Sequence, residues 1–263
     1  MYAFDYTAPA TVRGAAKALA KSGDAKLLAG GQTLLPTMKQ RLASPPVVVD
    51  LRAAGLSGIE KKGRNLVIGA MTPHAVVAAS TLVGELVPAL ASLAHGIGDP
   101  AVRNRGTIGG SVANNDPAAD YPSACLALGA TIHTNKRKIA AADFFTGLFS
   151  TALEEGEIIT KIAFPATKRA AYMKFPNPAS RYAMVGVFVA KRGRQVAVAV
   201  TGAGSSGVFR WTAAEEALAK RFSSKSLDGL AADPKAMLSD IHGSAAYRAH
   251  LVGVMAKRAV DAT

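Results

Sequence analysis

The chain has 263 residues, 49% of them hydrophobic and 19% charged, which is enough apolar material for one substantial core or two joined ones. No window approaches the roughly 18 uninterrupted apolar residues of a membrane-spanning helix, and Met1-Tyr2-Ala3-Phe4-Asp5-Tyr6 lacks the basic region and apolar run of a secretory signal, so a cytoplasmic location is expected. The net charge of +13 admits nucleic acid or an acidic partner, but the basic runs 61–65, 135–138 and 191–194 lie between apolar stretches as separate turn tips. No RNA-binding aromatic motif or cysteine-histidine finger accompanies them, which argues against nucleic acid.

The apolar spacing predicts an amphipathic helix from Thr11 to Lys21, a short apolar run over 26–29 and a β-branched run over 46–50, together a small βαβ-like unit. From residue 56 to 165 the pattern mixes a strand-like 65–69, a helical 75–80 and a strand-like 130–133, an α+β region. A boundary is expected at 164–169, where a strand ends in proline and then charge. Beyond it, strands over 184–190 and 195–201 flank the hairpin turn 191–194, and helices follow over 212–221 and 245–260. The lone Cys125 has the apolar neighbours of a core residue. One cysteine excludes an internal disulfide and any iron-sulfur cluster ligated wholly by cysteines of this chain, so electrons arriving through such a cluster would come from another chain.

Two stretches carry chemistry. In the first, Leu27-Leu28 runs into Ala29-Gly30-Gly31-Gln32-Thr33-Leu34, and then Leu34, Leu35, Met38 and Leu42 recur at helical spacing. A Gly-Gly turn lets backbone N–H groups converge on a ligand, and the following helix points its positive end at the same place, which suits a pyrophosphate. Taken alone, such a turn is more often just a turn. The second stretch, 98–122, reads as a long loop, poor in apolar periodicity and dense in small residues, amides and carboxylates. Gly109-Gly110-Ser111 repeats the backbone chemistry of the first turn. Asn114 and Asn115 offer amides, and Asp116 and Asp120 offer acceptors for sugar-like hydroxyls.

Ala29-Gly30-Gly31-Gln32-Thr33 and Arg103-Asn104-Arg105-Gly106-Thr107-Ile108-Gly109-Gly110-Ser111, in this order, resemble the two FAD-holding loops of molybdenum hydroxylase flavoprotein subunits, the family of the medium subunits of aerobic carbon monoxide dehydrogenase and xanthine dehydrogenase. The likeness continues through 143–147, 155–159, 172–175 and 179–187 and spans nearly the whole chain. It implies an α+β fold: a PCMH-type FAD-binding domain over 1–167, with subdomains of about 1–55 and 56–167, then a small α+β C-terminal domain of the carbon monoxide dehydrogenase flavoprotein type over 168–263. It also implies an oxidoreductase subunit that binds FAD and passes electrons from [2Fe-2S] clusters on a small partner subunit to an external acceptor. Substrate is then oxidised at a molybdenum cofactor on a large partner subunit. By the same resemblance, Ala29, Gly30, Gly31, Gln32, Thr33 and Leu34 with Gly106, Thr107, Ile108, Gly109, Gly110 and Ser111 line the pyrophosphate and ribityl chain. Asn114 and Asp120 hydrogen-bond it, Ile159 lies against the flavin, and Lys174 and Tyr182 fall in the segment that approaches the ring. Thr33 stands where the family commonly has serine, and Asn114 where histidine is frequent.

Other signals are weaker. Gly202-Ala203-Gly204-Ser205-Ser206-Gly207 has dinucleotide-fingerprint spacing, but Val208-Phe209-Arg210-Trp211 intervenes before the next helix and no returning strand follows, so a hairpin or crossover loop is expected there. The five histidines, at 74, 95, 133, 242 and 250, show no ligand spacing for a metal; His95, just before the second glycine stretch, could edge an adenine but reads more readily as a capping or core histidine. No serine has the setting of a hydrolase nucleophile. The alternatives to the subunit reading are an independent FAD-dependent oxidoreductase and a basic anion-binding scaffold whose glycine loops are only turns.

Overall fold

A computed structural model describes residues 1–263. The N-terminal segment contains β1 (Asp5–Thr7), α1 (Val12–Ala20), β2 (Lys26–Leu28), α2 (Leu34–Lys39) and β3 (Val47–Asp50). Its three strands form a parallel sheet in the order β1-β3-β2. The β-branched run occupies the central strand because Val48 and Val49 are buried from both sides. Helix α1 starts at Thr11, whose hydroxyl accepts from the Gly14 N–H at 3.0 Å.

Next come β4 (Ile59–Lys62), β5 (Asn65–Gly69), six short helices, and β6 (Thr131–Thr134), β7 (Lys138–Ala140), α9 (Ala141–Phe144), β8 (Phe145–Gly147), β9 (Ser150–Thr151) and β10 (Ile159–Pro165). The helices are α3 (His74–Ala79), α4 (Thr81–Leu86), α5 (Pro88–His95), α6 (Pro100–Arg105), α7 (Ile108–Asn114) and α8 (Tyr121–Leu128). The five-stranded sheet has the order β4-β5-β10-β6-β7 and is antiparallel throughout. Its centre is filled last, since Ile162 on β10 pairs with Ile68 on one side and Ile132 on the other. All eight residues of α8 are buried, Cys125 among them. No helix is long and apolar enough to cross a membrane.

The remaining elements are β11 (Ala170–Pro176), β12 (Ala183–Arg192), β13 (Gln195–Thr201), β14 (Phe209–Arg210), α10 (Thr212–Lys220) and α11 (Ala245–Asp261). The strands form an antiparallel meander. Residues 183–190 are buried without interruption because both faces of the sheet are covered. Val185, Val187 and Val189 pack with Leu251, Val252, Met255 and Ala256 of α11, whereas Phe188, Ala190 and Ala199 join Leu66, Leu90, Leu93 and Leu128 in the central core. The 202–207 glycine run is the connection between β13 and β14, which pair antiparallel, so it opens no dinucleotide-binding helix.

The reading of 98–122 as one long loop is corrected. Asp99 and Thr107 act as helix N-caps, accepting from Val102 N at 2.8 Å and Gly110 N at 3.2 Å, and α6, α7 and the start of α8 occupy most of the stretch. Capping and burial of Ile108 and Val112 overcome the low helix propensity of its glycines and asparagines. The helices α4 and α5, over 81–95, also go beyond what the sequence pattern indicated.

Candidate functional site

The two glycine stretches meet. Gly31 has φ +74°, the left-handed conformation that lets the chain leave β2 and turn into α2. A Cβ on Gly30 would stand 2.1 Å from the carbonyl oxygen of Arg105 and 2.7 Å from Cα of Gly106, so only a glycine lets the first turn reach the second. Gly106–Gly109 is in turn held from behind. Gly106 O accepts from His74 N at 3.0 Å, Ile108 N donates to Thr72 O at 3.1 Å and Gly109 N donates to Ala70 O at 2.8 Å. A Cβ on Gly109 would come within 2.5 Å of Ala70 Cβ, so this glycine serves close packing against β5. Gly109 and Gly110 lie in α7 with no positive φ, which corrects the expectation that Gly109-Gly110-Ser111 forms a second turn of the first kind.

Between the loops opens a cavity of about 610 Å³, within the range of pockets that hold small molecules and cofactors. Ala29, Gly30, Gly31, Gln32, Thr33 and Leu34 form one wall, and Gly106, Thr107, Gly109, Gly110 and Ser111 the other. Asn114, Asp120 and Ile159 also line it, and Tyr182 stands at its edge with about half its surface exposed. Two of the residues singled out in the sequence are elsewhere. Ile108, the first residue of α7, is fully buried, and Lys174 lies behind the wall, where its Nζ donates to Gly96 O at 3.0 Å and to the Asp120 carboxylate at 3.1–3.2 Å. Asp120 also accepts from the Tyr172 hydroxyl at 2.5 Å. Burial raises its carboxyl above the ordinary aspartate range against the opposing pull of Lys174 and Tyr172. Asp116, at the same end of the cavity, is likewise raised by burial, against an opposing hydrogen bond from Ala118 N.

Sequence patterning singled out His95, which is exposed and not on the cavity wall, and passed over His74, which is buried and lines it. The signal for His74 is tertiary. It opens α3 directly after Pro73, and Pro73 bridges to Thr107.

A profile of the family described as the FAD binding domain in molybdopterin dehydrogenase matches residues 2–167. The carbon monoxide dehydrogenase medium chain of Hydrogenophaga pseudoflava is 36% identical over 276 residues, covering 98% of this chain and 96% of that one. The chain belongs to this family. Another relative, the nicotine 6-hydroxylase medium subunit of Paenarthrobacter nicotinovorans, is 35% identical over 98% of this chain and 96% of its own length. Among solved structures, the carbon monoxide dehydrogenase from Hydrogenophaga pseudoflava that lacks the Mo-pyranopterin moiety superposes with a TM-score of 0.89 at 35% identity, covering 99% of this chain and 97% of that chain. As a member, the chain is an FAD-binding oxidoreductase component of the molybdenum hydroxylase type.

The cavity walls fit that cofactor. Gly30, Gly31 and Gly110 present backbone without side chains on facing walls, which suits close approach by a pyrophosphate, and the hydroxyls of Thr33 and Ser111 with the Asn114 amide add polar partners. Leu153, Ile158 and Ile159 supply an apolar surface for a ring.

Proposed function

We propose that this cavity holds one FAD and that the chain is the flavin-bearing electron-transfer subunit of a hetero-oligomer. A small partner carries [2Fe-2S] clusters, and a large partner carries the molybdenum cofactor at which substrate is oxidised. The observation that carries the reading is the meeting of two glycine loops, through Gly30 and the Arg105–Gly106 peptide, across one cavity. Bound flavin exchanges single electrons with a one-electron centre and delivers two to an acceptor, while the protein supplies position and electrostatic tuning. In this reading Ala29–Leu34 with Gly106, Thr107, Gly109, Gly110 and Ser111 hold the pyrophosphate and ribityl chain, Asn114 hydrogen-bonds it and Ile159 packs on the ring. Asp120 faces the same chain with Lys174 as its counter-ion, and Tyr182 shields the open edge.

Two further points support the subunit reading. Relatives of nearly equal identity are named for carbon monoxide and for nicotine, as expected if substrate choice resides on another chain. With Cys125 as its lone cysteine, this chain has no cysteine set for an iron-sulfur relay of its own. The domain division falls at 167/168 in the same proposal, and the working compartment is the cytoplasm.

The test is purification of the chain alone and from its native cells. Alone it should be yellow, with one FAD per chain and no oxidation of carbon monoxide, aldehydes or purines. From its own cytoplasm it should bring down an iron-sulfur chain and a molybdenum chain. A colourless protein favours the anion-binding scaffold, and turnover by the isolated chain favours the independent oxidoreductase.

A further inference from the structure

His74 is 5% exposed, and its imidazole makes no hydrogen bond within the protein, although its backbone N–H is paired to Gly106. Nδ1 is fully enclosed and without a partner. Nε2 stands on the other side of the ring, against the second glycine loop, where a Cβ on Gly106 would come within 2.6 Å of it. His74 is among the residues that line the cavity between the two loops. It is fixed there by Tyr121, whose ring packs on it at a centroid distance of 5.4 Å and a tilt of 44°. A buried polar side chain left without partners is rare, and one on the wall of a ligand cavity points to the ligand as its partner.

Resting on the FAD reading above, the geometry points to His74 as a cofactor-positioning residue whose Nε2–H donates to an oxygen of the ribityl-pyrophosphate chain beside Gly106. The choice of tautomer follows from the enclosure of Nδ1. A proton there would be an orphaned buried donor, whereas a bare lone pair is better tolerated, so the proton belongs on Nε2. Burial, and after it the Arg103 guanidinium, lowers the imidazole from 6.5 to about 4, so the ring is neutral near pH 7 and offers one donor. Gly106 then has a purpose beyond its own backbone, because any side chain there would displace the imidazole.

The experiment titrates FAD into the flavin-stripped chain and compares wild type with His74→Phe and Tyr121→Phe, with melting temperatures of the flavin-free proteins alongside. His74→Phe keeps the ring packing and removes both nitrogens. It should raise the Kd for FAD about tenfold, the worth of one hydrogen bond to a charged or strongly polar acceptor, and leave the flavin-free melting temperature at or above that of wild type. Tyr121→Phe removes the neighbouring enclosed hydroxyl, which is not on the cavity wall, and should leave the Kd unchanged. In the wild-type chain the His74 Nε2 ¹⁵N signal should keep its proton and move on FAD addition. The proposal is overturned if His74→Phe binds FAD as tightly as wild type, if both variants weaken binding alike, or if the Nε2 signal is indifferent to FAD. It is also overturned if the flavin-free melting temperature falls in parallel with affinity, the mark of a purely structural histidine. Should His74→Phe fail to fold, the wild-type ¹⁵N titration decides alone. A wild-type chain that binds no FAD at all overturns the cofactor reading itself and is distinguishable from each of these.

Discussion

Gly30 and Arg105 meet with no space between them, since a Cβ on Gly30 would stand 2.1 Å from the Arg105 carbonyl oxygen. That neighbour is backbone and cannot rotate away. Gly30→Ala should therefore push the two cavity walls apart, lowering both the melting temperature and the affinity for FAD. Flavin titration and thermal unfolding of the same preparation check this, and a variant normal in both would show that the loops separate freely.

Gly110 sits in a milder place. A Cβ there would meet Thr107 Oγ1 at 3.0 Å and Ala29 Cβ at 3.3 Å, contacts that small shifts relieve. Gly110→Ala is expected to fold and to bind FAD with modest loss. Gly110→Val adds two methyl groups at the cavity wall and should abolish flavin binding while the chain stays folded by circular dichroism. The block is steric, because Gly110 lies in a helix with no positive φ. Full flavin occupancy in the valine variant would remove this wall from the cofactor's path.

Asp120 and Lys174 are both almost fully buried and paired at 3.1 Å. Removing one partner of such a pair leaves an uncompensated buried charge and typically costs about 3–5 kcal/mol. Asp120→Asn should destabilise the chain on that scale, and adding Lys174→Met should recover much of the loss. Denaturant unfolding of the two single variants and the double variant measures the coupling. If the double variant is no better than Asp120→Asn, Lys174 is satisfied by Gly96 O alone.

His74 gives the folded chain a defined acid sensitivity. Its imidazole is lowered from 6.5 to about 4, chiefly by burial, so the unfolded chain binds the proton more readily. The associated stability is complete above pH 6.5 and is lost as pH falls to about 4, on the order of 3 kcal/mol over that interval. Unfolding free energies of the flavin-free chain between pH 4 and 7 should show this slope, and His74→Phe should flatten it. A variant that keeps the wild-type slope would assign the sensitivity to other groups.

How far the sequence foretells this depends on whether the signal is local. The pair β12 and β13 was legible because β-branched residues flank a basic turn, and α11 because its apolar positions recur at helical spacing. Both glycine stretches were legible as cavity-lining through the resemblance carried by the pair, since a Gly-Gly turn taken alone is more often just a turn. Helix α7 was not, since Ile108-Gly109-Gly110-Ser111 has poor propensity and is helical through the Thr107 cap and burial against β5 and β10. His74 and the Asp120–Lys174 pair were illegible for a different reason. Each acquires its meaning from residues 32 to 54 positions away, Gly106 for the first and Lys174 for the second, and a single sequence holds no record of such distant approaches.

The placement of Phe188, Ala190 and Ala199 in the same core as Leu66, Leu90 and Leu128 has a consequence during synthesis. When Asp120 leaves the ribosome, Tyr172 and Lys174 do not yet exist, and at about 5–20 residues per second the strand that brings them follows several seconds later. Through that interval α8, buried on every side in the finished chain, packs on α5, α7, α9 and β10 but lacks β12 and β13, which cover its remaining face. The nascent chain therefore leaves apolar surface of α8 open until β12 and β13 have been made. A chain stopped near residue 167 would hold both glycine stretches but lack Ser180, Arg181 and Tyr182 from the cavity wall and Phe188, Ala190 and Ala199 from the core.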